Sequence, residues 1–198
     1  MKTLLRIDAS SQLMQSHSRS LADYYEFRWK EHYPNGKVVT RDLVREPIPH
    51  LDEATIALLY TGGEPPEGMI PPGIVLSNQL IRELKDADEV VISSAVYNFG
   101  MPSALKAWID HIVRFGSTIA PGERGPVGLL SNERACFLTA RGGNPERSPD
   151  YQYPILKAVF EYIGIQKTDW ISLEGTRIPD GKLDSRISKA RSAIDDLF

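Results

Sequence analysis

The sequence predicts an α/β fold, with five parallel strands in the order 2-1-3-4-5 and helices on both faces of the sheet. Short apolar runs alternate with amphipathic stretches along the whole chain, the signature of β-α units. The apolar runs are continuous rather than alternating, as in Val90-Val91-Ile92, which suits strands covered on both faces. At 198 residues the chain fills one such sheet. A six-stranded dinucleotide fold would need more chain and a Gly-rich first turn.

The elements follow in order. Lys2–Asp8 reads as the first strand, and Ser18–Tyr33 as a helix stopped by Pro34-Asn35-Gly36. Lys37–Asp42 is the second strand. A short helix over Leu51–Tyr60 leads into a Gly- and Pro-rich loop, Thr61–Gly73. Ile74–Ala87 is a helix, Asp88–Ser94 the third strand, and Pro102–Phe115 a helix entered through proline. Arg134–Ala140 is the fourth strand, followed by helix Tyr151–Gly164, strand Lys167–Glu174 and helix Asp180–Leu197. Five strands wound in this way fit the flavodoxin-like arrangement, as a single domain over residues 1–198.

Composition narrows the function classes. With 41% hydrophobic and 25% charged residues the chain lies in the globular range. A net charge of −3 with both signs dispersed gives no footprint for nucleic acid or an anionic membrane. No run approaches the ~20 apolar residues of a membrane span, and Met1–Asp8 is too short for a signal sequence. The only cysteine, Cys136, sits inside a strand and reads as a core residue. A cytoplasmic location is expected.

In open α/β sheets a ligand binds beyond the carboxyl ends of the strands, where the strand order reverses. The turns after strands 1, 3 and 4 meet there. The first, Ser10 to Ser20, lacks G-x-G-x-x-G and a Walker lysine but gathers hydroxyls where a helix begins. Helix N–H groups and serine donors there suit a phosphate monoester, although taken alone the segment also reads as a plain serine N-cap. The second turn, Tyr97-Asn98-Phe99-Gly100-Met101-Pro102, combines aromatic walls with an amide that both donates and accepts. That suits a planar heteroaromatic ring, or simply a helix entry. The third, Arg141-Gly142-Gly143-Asn144-Pro145, allows close approach of a ligand to the backbone; an ordinary loop would look the same. No metal-ligand set and no catalytic acid or base stands out in these turns.

Ser16–Ser20, the Tyr97–Pro102 run with Leu105-Lys106 and Trp108-Ile109-Asp110, Gly125–Leu129 and Ala140–Gly143 together resemble the FMN-dependent NADH-azoreductase and NAD(P)H:quinone reductase family. The resemblance implies FMN, one per subunit of a homodimer, reduced by NADH or NADPH and reoxidised by a quinone or azo compound in a ping-pong cycle. It implies that Ser10, Ser16, His17 and Ser18 surround the FMN phosphate. It likewise implies that Val96, Tyr97, Asn98, Phe99 and Ala140, Arg141, Gly142, Gly143 lie along the flavin ring and ribityl chain. The chain departs from the family at Ala95-Val96, where members often carry Pro-Met. It departs again at Ser117–Gly122, where Ile119, Ala120 and Pro121 replace aromatics that line the substrate side.

Two rival readings share the fold. An electron-carrier flavodoxin resembles a shorter, strongly acidic chain, and a receiver-like module wants several acids after strand 1, where only Asp8 stands. A serine hydrolase lacks its G-x-S-x-G elbow. On helix Pro102–Phe115 the apolar arc spans roughly 160°, wider than a single core contact needs. Trp108 and Phe115 at one edge are therefore expected to meet a second subunit, unless Trp108 fills a deep core position.

Overall fold

The computed structural model describes residues 1–61, 70–144 and 149–198. Five strands, β1 (Thr3–Asp8), β2 (Lys37–Asp42), β3 (Glu89–Ala95), β6 (Arg134–Ala140) and β7 (Thr168–Leu173), form one parallel sheet in the order β2-β1-β3-β6-β7. This is the predicted 2-1-3-4-5 order of the main strands. Helices α1 (His17–His32), α2 (Glu53–Thr61), α3 (Pro72–Lys85), α4 (Ser103–Ile112), α5 (Gln152–Ile163) and α6 (Leu183–Asp195) complete the β-α units. Most of the expected 61–73 loop, and Pro145 of the third turn, lie outside the described residues.

Strand periodicity builds two cores. Leu5, Ile7, Val90, Ile92 and Phe137 point to one face, against α3, α4 and α5. Their neighbours Leu4, Val91, Cys136 and Leu138 point to the other, against α1 and α6. Cys136 is fully buried, and burial pushes its thiol pKa up, as the core reading expected. Among the described residues no helix is long and apolar enough to cross a membrane.

The structure departs from expectation in the segment after α4. The helix stops at Ile112, three residues early, because Thr118 Oγ1 donates to the Ile112 carbonyl at 2.6 Å and accepts from the Arg114 N–H at 2.9 Å. A short antiparallel pair follows, β4 (Ile119–Ala120) with β5 (Val127–Gly128). It is seated on the end of α5, where the Leu130 N–H donates to the Ile163 carbonyl. Gly128 approaches Gly164 so closely that a Cβ would lie 2.1 Å from the Gly164 nitrogen.

Trp108 is a correction. It is wholly buried and stacks on Phe160 of α5, with ring centroids 6.4 Å apart. α4 meets α5 through this stack as well as packing on the sheet, so Trp108 is not available to a second subunit; Phe115, beyond the end of α4, is half-buried against the same core. Ile119 is likewise a core residue, 4% exposed.

Candidate active site

The carboxyl ends of β1, β3, β6 and β7 open onto a cavity of about 550 Å³. Every residue predicted to line the site borders it except Asn98 and Phe99: Ser10, Ser16, His17 and Ser18 come from the first turn, Val96 and Tyr97 from the second, and Ala140, Arg141, Gly142 and Gly143 from the third. The cavity also takes in Gln12, Gln15, Ala95, Thr176 and Arg177.

At one end α1 begins. Ser16 is its N-cap: its hydroxyl accepts from the Arg19 N–H at 3.4 Å and lies 3.2 Å from the Ser18 hydroxyl. The first intrahelical bond runs from the Ser20 N–H to the Ser16 carbonyl. The N–H groups of His17 and Ser18 therefore precede the ladder and face outward with the positive end of the helix dipole. Ser10 and Ser18 are buried, so their hydroxyls are held in place rather than loosely solvated.

A network of charges beneath this end fixes the loop. The Arg19 guanidinium bonds Asp42 at 2.7 and 2.9 Å and the Ser10 carbonyl at 2.9 and 3.2 Å, with Asp8 3.5 Å away. The Arg19 hydrogen bond holds the Asp42 carboxyl down to about 2, and Asp42 in turn holds Arg19 above its ordinary value. Arg6 closes the row by pairing with Asp8, Asp23 and Glu26.

The second turn is strained. Asn98 and Phe99 both have positive φ, 48° and 71°, in a turn closed by reciprocal bonds between Tyr97 and Gly100 at 2.9 and 3.0 Å. Two consecutive non-glycine residues in that region cost energy that a plain connection would avoid, and such strain gathers at functional loops. The turn leaves Phe99 56% exposed at the cavity rim rather than in its lining. The Tyr97 hydroxyl accepts from the Ser11 N–H at 3.2 Å and ties this turn to the first.

The third turn is braced from a side that the sequence reading did not consider. Arg141 pairs with Glu174, and the chain after β7 bonds back through the N–H groups of Gly175, Thr176 and Arg177. This is how Thr176 and Arg177 reach the cavity. A Cβ on Gly143 would meet nothing within 4 Å, and one on Gly142 would meet only the flexible stem of Arg177. Ile119, Ala120 and Pro121 do not line the cavity.

A helix start rich in hydroxyls, an open glycine wall and a strained aromatic turn meet at the switch point of a flavodoxin-like fold, and the chemistry of these donors fits the phosphate and planar ring of FMN. The chain matches the model of the flavodoxin-like fold family over residues 1–198. Among its relatives it belongs to the FMN-dependent NADH:quinone oxidoreductases, an enzyme family. It is 36% identical to the one from Hydrogenovibrio crunogenus, with 98% of each chain covered. It is 37% identical to that of Azotobacter vinelandii, again with 98% of each covered, and 41% to that of Xanthobacter autotrophicus over 84% of this chain and 83% of the relative. The fold is also that of an azoreductase from Bacillus anthracis strain Sterne, with a TM-score of 0.87 at 23% identity over 100% and 98% of the two chains. An FMN-dependent NADH-azoreductase from B. anthracis strain Ames Ancestor, solved in complex with FMN, gives 0.82 at 24% identity over 100% and 99%.

Proposed function

We infer that this protein is an FMN-dependent oxidoreductase passing two electrons from NADH or NADPH to quinones, azo compounds or both, by a ping-pong cycle. The carrying observation is the convergence of the three predicted turns on one cavity, with a helix N-terminus and buried serines at one end. Bound FMN supplies the hydride chemistry.

The chain binds and orients. Ser10, Ser16, His17 and Ser18 take the FMN phosphate with hydroxyl and helix N–H donors. Val96 and Tyr97 in the lining, with Asn98 and Phe99 beyond it, and Ala140, Arg141, Gly142 and Gly143 would hold the flavin ring and ribityl chain. Backbone N–H groups near Gly142 and Asn98 would counter negative charge on the reduced ring. With FMN bound, donor and acceptor would use the same open side in turn, and the proton would come from water. The working unit is a cytoplasmic homodimer with one FMN per subunit. The exposed Tyr97 and Phe99 beside the cavity favour a second subunit as the missing wall.

The purified protein should be yellow, release FMN on heating, and bleach when NADH is added without oxygen. A colourless protein that takes up no added FMN refutes this function. Initial rates should give parallel double-reciprocal lines; intersecting lines would mean a ternary complex. Light scattering at micromolar concentration should report a dimer, and a monomer would remove the proposed wall.

A further inference from the structure

The arginines around the cavity are unequally committed. Arg6 is held by three carboxylates, Arg19 by Asp42 and the Ser10 carbonyl, and Arg141 by Glu174. Arg177 also lines the cavity, yet it is exposed, and among the described residues its guanidinium has no hydrogen-bond or ion-pair partner.

Arg177 is nonetheless firmly mounted. Its N–H donates to the Gly142 carbonyl at 3.3 Å, beside bonds from Thr176 to Arg141 at 3.0 Å and from Gly175 to Gly143 at 3.1 Å. Its stem lies flat on Gly142: a Cβ there would come within 3.0 Å of Arg177 Cδ and 3.1 Å of Cγ. Glycine at 142 thus makes room for this arginine. A fixed backbone with a free charged end is the geometry of a residue waiting for an anion.

Sheet order indicates which anion. The loop after β7 lies three strands from the loop after β1, about 14 Å at ~4.8 Å per strand. The serine cradle therefore enters the cavity from a different loop, and its own hydroxyls and helix N–H groups serve a phosphate there without calling on Arg177.

We propose that Arg177 binds an oxyanion carried by the ligand that enters over the FMN, and so selects anionic ligands in that position. The inference rests on the FMN reading of the cavity. Two ligands enter in turn, and either can carry the group: the sulfonate or carboxylate of an acceptor, or the diphosphate of the nicotinamide donor.

The test compares FMN-loaded wild type with Arg177→Gln and Arg177→Lys. Oxidised protein is titrated without donor, using 1,4-naphthoquinone-2-sulfonate and neutral 1,4-naphthoquinone, followed by the change in flavin absorbance. NADH affinity comes from the saturation of anaerobic flavin reduction. A charge-assisted hydrogen bond at an exposed position predicts that Arg177→Gln weakens the anion-bearing ligand by about 10-fold, while the neutral quinone stays within about twofold. Arg177→Lys should recover part of the loss, and the wild-type preference should shrink as salt is raised. Loss confined to the sulfonate assigns the anion to the acceptor, and loss confined to NADH assigns it to the donor. Equal loss for the neutral quinone, or no loss for either anion, overturns the proposal. FMN content separates the two levels: loss of FMN in the variant alone means that Arg177 serves the cofactor and overturns this assignment, whereas a wild type that takes up no FMN sinks both readings.

Discussion

Arg19→Ala would test the charge network that holds the first turn. The wild-type guanidinium makes two bonds to Asp42 and two to the Ser10 carbonyl. Without it, Asp42 keeps the N–H groups of Val44 and Arg45 and a 3.5 Å ion pair with the exposed Arg45 guanidinium, and Asp8 keeps Arg6 and Ser93. Removing one partner of a buried pair costs about 3–5 kcal/mol, and the donors left to Asp42 reduce that to about 2–3 kcal/mol. The pKa leads to the same range: a carboxyl lowered from 3.8 to about 2 contributes about 2 kcal/mol. Its folded pKa is depressed, so the contribution is fully present above 3.8 and is lost as the pH falls through about 2. Urea unfolding of the FMN-free proteins should therefore show a gap of about 2–3 kcal/mol at pH 7 that narrows to roughly half near pH 3. FMN affinity should fall as well, because the same guanidinium positions Ser10. A gap below about 0.5 kcal/mol at pH 7, the level of an ordinary surface change, or one unchanged between pH 7 and pH 3, would refute the reasoning.

Ser16→Asp keeps an N-cap oxygen on α1 and so should leave thermal stability nearly unchanged. It should weaken FMN binding by about 1–3 kcal/mol through charge repulsion and a lost donor; unchanged affinity in a fluorescence titration would remove Ser16 from the site. Gly128→Ala drives a methyl into the backbone of Ile163 and Gly164 and should cost about 3 kcal/mol or more. Gly100→Ala, which meets nothing within 4 Å, is the control, and equal melting temperatures for the two variants would contradict the close approach.

The sheet and most of the cavity were legible in the sequence because their causes are local or periodic. Val90-Val91-Ile92 could only be a strand buried on both faces, and five such runs leave few ways to wind. Strand ends at a switch point must converge, so Ser10, Ser16, Val96, Ala140 and Gly143 could be named before any coordinates. What escaped depended on partners distant in the chain. One local feature also escaped, the positive φ of Phe99: Asn98 is a residue type that tolerates it, but for Phe99 only the closed Tyr97–Gly100 turn imposes it. Trp108 looked available because a helix wheel shows its arc but not the second element, α5, that covers it. Arg177 reached the cavity only because the chain after β7 hydrogen-bonds back to residues 141–143. By itself the sequence determined the strand and helix order, the two-faced core and the hydroxyl-rich helix start, since burial and capping act on neighbouring residues. Only the tertiary structure decided that Arg6, Arg19 and Arg141 are spent on carboxylates while, among the described residues, the Arg177 guanidinium at the cavity has no such partner, because that depends on distances between side chains far apart in the chain.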